Sequence, residues 1–158
     1  MQFSGRFQRR SSDGRKNVVR PPGETKIQRL NPKRESDILS VTGWETLADG
    51  SLNLVVEQSV VEALARLTPT LDELATGIVY PPPYENIPKI RKAYRYYAGT
   101  ARRGERAESV LVRRAMVPVP NTVELFAAES LTTAFNLVPN DVVSVDIHAT
   151  EKVSKADS

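Results

Sequence analysis

The spacing of hydrophobic and polar positions changes period several times along this chain, and each change predicts an element. Val143, Val145 and Ile147 alternate with Ser144 and Asp146, which is the period of a half-buried strand. Upstream, Val123, Leu125 and Phe126 begin a strand-like run, and Leu131, Ala134, Phe135 and Leu137 follow at helical spacing over one to two turns. Between that short helix and the last strand, Val138-Pro139-Asn140-Asp141 predicts a turn. Proline sets φ there, and asparagine tolerates positive φ.

Earlier in the chain the signals are sparser. Phe3 to Phe7 predicts one weak strand, followed by a long polar loop to about residue 40 that Gly14, Pro21, Pro22, Gly23 and Pro32 punctuate. Val41 to Leu47 predicts a short turn or helix. Leu52 and Leu54 alternate with Asn53 and Val55, so Ser51 to Val56 predicts a strand. Glu57 to Leu67 changes to helical spacing, with Val60, Val61, Leu64 and Leu67 on one face. Pro69 should stop that helix, and Leu71 to Ala75 predicts another turn. Tyr80-Pro81-Pro82-Pro83-Tyr84 predicts an extended connection.

Ala93 to Arg102 and Glu108 to Val117 predict a hairpin around Arg103-Gly104-Glu105. Tyr94 and Tyr96 then share one face of its first strand, and Arg95 and Tyr97 the other. About six strands with two or three short helices predict a mainly β chain with short helices (α+β), closed as a small six-stranded barrel. In this reading residues 1–40 supply a basic strand and loop to the same domain. Residues 41–150 form the barrel core, and 151–158 are a frayed tail.

Composition narrows the function classes. The 158 residues suffice to bury a core without a covalent staple. There is no cysteine, which excludes a disulfide framework, a zinc-thiolate centre and a cysteine nucleophile, and which fits a cytoplasmic location. No apolar run approaches the roughly 20 residues of a membrane span, so no membrane partner is expected. The basic N-terminus lacks the apolar segment of a secretory signal. Charge is uneven: residues 1–34 carry a net +8 and the rest a net −5, for +3 in all. A basic arm on a mildly acidic body favours an anionic partner, either nucleotide phosphates or nucleic acid; a solvated N-terminus would look the same.

Standard catalytic signatures are absent: no GxSxG, HExxH, GxxxxGK[ST] or GxGxxG occurs. His148 is the single histidine and reads as a surface residue. Within Asp49-Gly50-Ser51-Leu52-Asn53-Leu54, Ser51 and Asn53 stand two apart and so share a side of the strand. Their hydroxyl and carboxamide oxygens are hard donors suited to a magnesium ion that keeps waters and phosphate oxygens, although a plain polar edge strand has the same pattern. Glu124 lies between Val123 and Leu125. A carboxylate there needs a partner or a raised pKa and could hold or deprotonate a hydroxyl, unless it simply faces outward. Asp13-Gly14-Arg15 could place backbone N–H groups and a guanidinium on a phosphate, or could be an ordinary surface turn.

Taken together these segments resemble the CTP-dependent riboflavin kinases, the small archaeal-type enzymes with a cradle-loop barrel. Gly50-Ser51-Leu52-Asn53-Leu54 is similar to that family's G-T-L-N-[LV] strand. Val117 to Ala128, VPVPNTVELFAA, is similar to its valine- and proline-rich lead into L-E-I-I-A-P. Leu131 to Ile147 is similar to its short helix, L-x-L-x-D-G-D turn and closing V-x-V strand, and Gly5 with Asp13-Gly14-Arg15 fits the spacing of its glycine-rich loop.

The resemblance implies Ser51 and Asn53 as Mg²⁺ ligands. It implies Asp13, Gly14 and Arg15, with Arg10 beside them, in the nucleotide loop, and Glu124 near the acceptor hydroxyl. The expected partners are a nucleotide, CTP by resemblance, and a flavin-like small molecule, with phosphoryl transfer achieved by positioning and charge neutralisation.

Two departures shape the alternatives. Arg10-Ser11-Ser12 stands where the family loop has G-L-G, which limits close backbone approach to phosphate, and Arg20 to Trp44 matches nothing in the family. A non-catalytic ligand- or nucleic-acid-binding barrel is therefore the alternative. It is supported by the basic arm and by the likeness of the last thirty residues to swapped-hairpin transcription factors ending in L-x-x-G-D-x-V. A structural or interaction protein is the third reading.

Overall fold

The computed structural model describes residues 1–9, 32–73, 93–116 and 120–149. Among these, the strands are β1 (Gln2–Phe7), β2 (Leu52–Val55), β3 (Leu71–Glu73), β4 (Tyr94–Arg103), β5 (Arg106–Ala115), β6 (Thr122–Phe126) and β7 (Val142–Ile147). The helices are α1 (Pro32–Thr42), α2 (Gln58–Ala65) and α3 (Leu131–Ala134). The strands run in the order β3-β4-β5-β6-β2-β1-β7, and β7 pairs back onto β4. Six antiparallel strands thus close a barrel, as the sequence predicts, and β3 is an extra strand outside the closure.

Closure depends on the length of β4. One of its edges pairs with β5 along all ten residues, while the other is shared between β3 at Tyr94–Tyr96 and β7 at Gly99–Arg102. A Cβ at Gly99 would lie 2.6 Å from the Asp146 carbonyl oxygen, so the crossing of β4 and β7 requires glycine. Arg103 pairs with Arg106, leaving Gly104-Glu105 as a two-residue hairpin turn with Gly104 at φ +60. Positive φ at the first turn residue is what such tight hairpins need.

Alternation along the strands fills the interior with side chains. Phe3, Leu54, Tyr97, Val112, Leu125 and Val145 contribute one from each barrel strand to a single buried cluster. Leu64 of α2, Leu131 of α3, and Leu67, Phe135 and Leu137 just beyond those helices complete it. The turn before β7 forms as predicted: Asn140 adopts φ +76, and the Asp141 N–H donates to the Val138 carbonyl at 3.1 Å.

A second, smaller cluster lies on the outside of the barrel. Ile38 of α1 packs there on Tyr96, Leu111 and Phe126, with Trp44, Leu47 and Leu71 against its margin. Strand β5 is therefore covered on both faces, and Val110, Leu111 and Val112 are all buried. That double burial explains why its apolar residues run together instead of alternating.

Two expectations are corrected. The stretch predicted as loop to residue 40, ahead of a short turn or helix at 41–47, holds α1 from Pro32 to Thr42 instead. Its sequence PKRESDILSVT buries Ile38 and Arg34 but offers no continuous apolar stripe. The end signals were present: Pro32 opens the helix, and Gly43 at φ +74 closes it with its N–H on the Leu39 carbonyl. Leu71–Glu73 is a strand, not a turn; three residues are too few to show a period, and β4 supplies their hydrogen bonds. No helix among the described residues is long and apolar enough to cross a membrane.

Candidate functional site

Leu52 and Leu54 point into the barrel, so Ser51 and Asn53 stand on its outer wall. Strand register then decides their company. Asn53 lies opposite Glu124 of β6, Glu124 opposite Arg113 of β5, and Arg113 opposite Tyr96 of β4. Ser51, one step off this row, donates its hydroxyl to Glu124 Oε2 at 2.6 Å, and Arg113 Nη2 donates to the same oxygen at 2.5 Å. The structure thus brings Ser51, Asn53 and Glu124 onto one patch, although Glu124 is more than 70 positions away in sequence. The other predicted site residues, Arg10, Asp13, Gly14 and Arg15, lie outside the described residues, as does the Tyr80–Tyr84 segment.

Glu124 has the partner that its apolar neighbours required. Arg113 is only 8% exposed, and its guanidinium lies 4.1 Å from the Tyr94 ring centroid and 4.8 Å from that of Phe126. The cation thus lies over the faces of both rings, a favourable arrangement when it is desolvated. Its Nε and Nη1 atoms are buried without a hydrogen-bond partner. Burial works against the charge of Arg113, but Glu124 and then Tyr96 outweigh it and hold the guanidinium above its ordinary pKa.

A second buried ion pair adjoins this row. Arg34 of α1 grips Glu73 of β3 through two hydrogen bonds of 2.7 Å, and the Tyr96 hydroxyl donates to Glu73 Oε1 at 2.8 Å. Burial favours the neutral form of Glu73, yet the Arg34 hydrogen bonds and charge, helped by Tyr96, hold its carboxyl below the ordinary carboxylate range. Arg34 is correspondingly held above its usual value against the effect of burial. Burial raises the Tyr96 phenol, which therefore stays protonated as a donor. Ser51, Glu124 and Arg113 at one end, and Tyr96, Glu73 and Arg34 at the other, form adjoining polar groups on the outer wall, with α1 packed at the Tyr96 end.

Chemically, the exposed end of this row presents a hydroxyl and a carboxamide beside a charge-neutralised carboxylate. Both Ser51 and Asn53 are half-buried, and among the described residues no side-chain hydrogen bond engages the Asn53 carboxamide. These are hard oxygen donors, a set that fits Mg²⁺ only if most of its shell comes from water and phosphate. No group of three or more His, Cys, Asp or Glu side chains suited to a metal occurs among the described residues. A separate hollow of about 330 Å³ lies on β1, β7 and β4, lined by Ser4, Ser144, Arg102 and Asp146, on strands other than those that carry Ser51 and Glu124.

Arg113, Tyr96, Glu73 and Arg34 were not among the residues expected from sequence. The available signal was a charge at an outward position in the apolar run Ser109 to Ala115, but its meaning depends on register with β6. Comparison with known proteins identifies no family: no protein-family model matches the chain, and neither does any curated protein.

Proposed function

We propose that this chain is a riboflavin-kinase-like phosphotransferase that uses a nucleoside triphosphate, CTP by resemblance, with Mg²⁺ to phosphorylate a flavin or similar alcohol. The observation that supports this reading most is the joint placement of Ser51, Asn53 and Glu124 on one outer patch of a closed six-stranded barrel. Ser51 and Asn53 would hold the cation through their side-chain oxygens, and Glu124 would stand on the acceptor side. When bound, Mg²⁺ supplies neutralisation of charge on the transferring phosphoryl group. The chain itself would orient the two substrates and exclude water, which requires neither a histidine nor a cysteine nucleophile. A cysteine-free nucleotide enzyme of this kind belongs in the cytoplasm.

The test is direct. Asn53→Ala should abolish Mg²⁺-dependent turnover and leave the melting temperature nearly unchanged; an active variant would remove the site assignment. CTP with Mg²⁺, and riboflavin separately, should each raise the melting temperature, by an amount equivalent to about 2.7 kcal/mol at a hundredfold excess over Kd.

One observation favours a second reading, a ligand- or nucleic-acid-binding barrel without transfer chemistry. Glu124 is engaged by both Arg113 and Ser51, which makes it a poor base. That reading expects DNA or RNA binding that falls steeply with salt and disappears when residues 1–20 are removed.

A further inference from the structure

Glu124 has two neighbours that a substrate-facing carboxylate does not need, and together they give it a different task. A serine hydroxyl carries one proton and two lone pairs. The Ser51 proton is directed at Glu124 Oε2 over 2.6 Å, within the range of a charge-assisted hydrogen bond. With the proton committed to Glu124, the lone pairs of Ser51 stay free to accept or to coordinate, on the outer wall that Asn53 also occupies. Left without such an acceptor, the hydroxyl would rotate and present its hydrogen to an incoming cation in part of its population. Glu124 is itself held: Arg113, buried over the Tyr94 and Phe126 rings, donates to the same oxygen.

We infer that Glu124 and Arg113 are positioning residues for a divalent-cation site at Ser51 and Asn53, with Glu124 orienting the Ser51 hydroxyl and Arg113 holding Glu124. The inference rests on the phosphotransferase reading for the site but changes the role of Glu124 within it. Carboxylates that hydrogen-bond a metal ligand typically change metal affinity by about 10–100-fold when replaced. Arg113 also gains a reason to remain charged although two of its three nitrogens are unpartnered. A neutral residue there would leave the Glu124 carboxylate to swing off the Ser51 proton.

The experiment is a Mn²⁺ titration of the full chain in the presence of a non-hydrolysable CTP analogue, followed by the electron paramagnetic resonance signal of free Mn²⁺. Turnover is measured in parallel with saturating Mg²⁺. Glu124→Gln should weaken Mn²⁺ by at least about tenfold, Ser51→Ala should do so by at least as much, and saturating Mg²⁺ should restore most of the Glu124→Gln kcat. If Ser51→Ala weakens Mn²⁺ but Glu124→Gln leaves it unchanged and kcat stays low at saturating Mg²⁺, Glu124 acts on the acceptor hydroxyl. The inference then fails and the phosphotransferase reading survives. If neither substitution alters Mn²⁺ affinity, or the wild-type chain binds none, the cation site and the inference fall together. Should Glu124→Gln melt well below the wild type because Arg113 is left unpaired, the double variant Glu124→Gln with Arg113→Met removes both charges. The same titration on it gives the same decision.

Discussion

The two faces of the wall formed by β4, β5 and β6 are both buried, yet they are held by different forces. Inside the barrel, Leu54, Val112, Leu125 and their neighbours form a cluster of buried hydrophobic residues, and burial of aliphatic side chains is stabilising whatever the pH. Outside, beneath α1, Tyr96, Leu111 and Phe126 share their space with Arg113, Arg34 and Glu73. Removing charges from water is costly, so each must be paired or stacked for the outer layer to form at all. The inner face therefore supplies stability, while the outer face makes position specific. Only one register of β6 on β5 puts Glu124 on Arg113, and α1 docks where Arg34 reaches Glu73.

That contrast can be broken from either side. The largest effect is expected in the interior: Leu54→Ala should cost about 3–4 kcal/mol in urea denaturation, by the same amount at pH 4 and pH 7. A loss that changed strongly with pH would mean the interior is coupled to the charged layer. On the outer face, Glu73→Gln should cost about 2 kcal/mol at neutral pH, and the cost should fade in acid. Its folded carboxyl titrates below the ordinary value of 4.5. The charged form therefore stabilises the fold above that value, and the contribution is lost as pH falls through the lower, folded titration. Stability curves of wild type and Glu73→Gln should converge once pH drops through that folded titration, where the wild-type side chain is itself neutral; parallel curves would show that Arg34 and Tyr96 do not stabilise the charge. Tyr96→Phe, the smallest change, removes one donor to Glu73 and should cost about 1 kcal/mol near neutral pH. Its effect should shrink in the same acid window and be absent when added to Glu73→Gln, which a double-mutant cycle reads directly.

Legibility in the sequence divided along the same line. The strands with one wet face announced themselves: Val143, Val145 and Ile147 alternate with polar residues in β7, and Tyr96 and Tyr97 fall on opposite faces of β4 as expected. Where a layer packs on the outside, the period vanished, as in Val110-Leu111-Val112. Helix α1 escaped notice because its buried residues include an arginine, and an arginine counts as polar in any hydrophobic pattern until its partner is known. For the candidate site, the side shared by Ser51 and Asn53 follows from spacing alone, and the need of Glu124 for a partner follows from its apolar neighbours. The identity of that partner does not.

The sequence by itself determined the local periods, the turns at Gly104 and Asn140, and the chemistry available: hard oxygen donors, many guanidinium groups, and no thiol. These follow from backbone stereochemistry and side-chain type, which act over a few residues. Only the tertiary structure decided that β7 closes on β4 at Gly99, that Arg113 meets Glu124, and that α1 covers the outer wall with Arg34 on Glu73. Those are pairings between distant segments, chosen because a buried charge or an open sheet edge must find its complement wherever the chain can supply one.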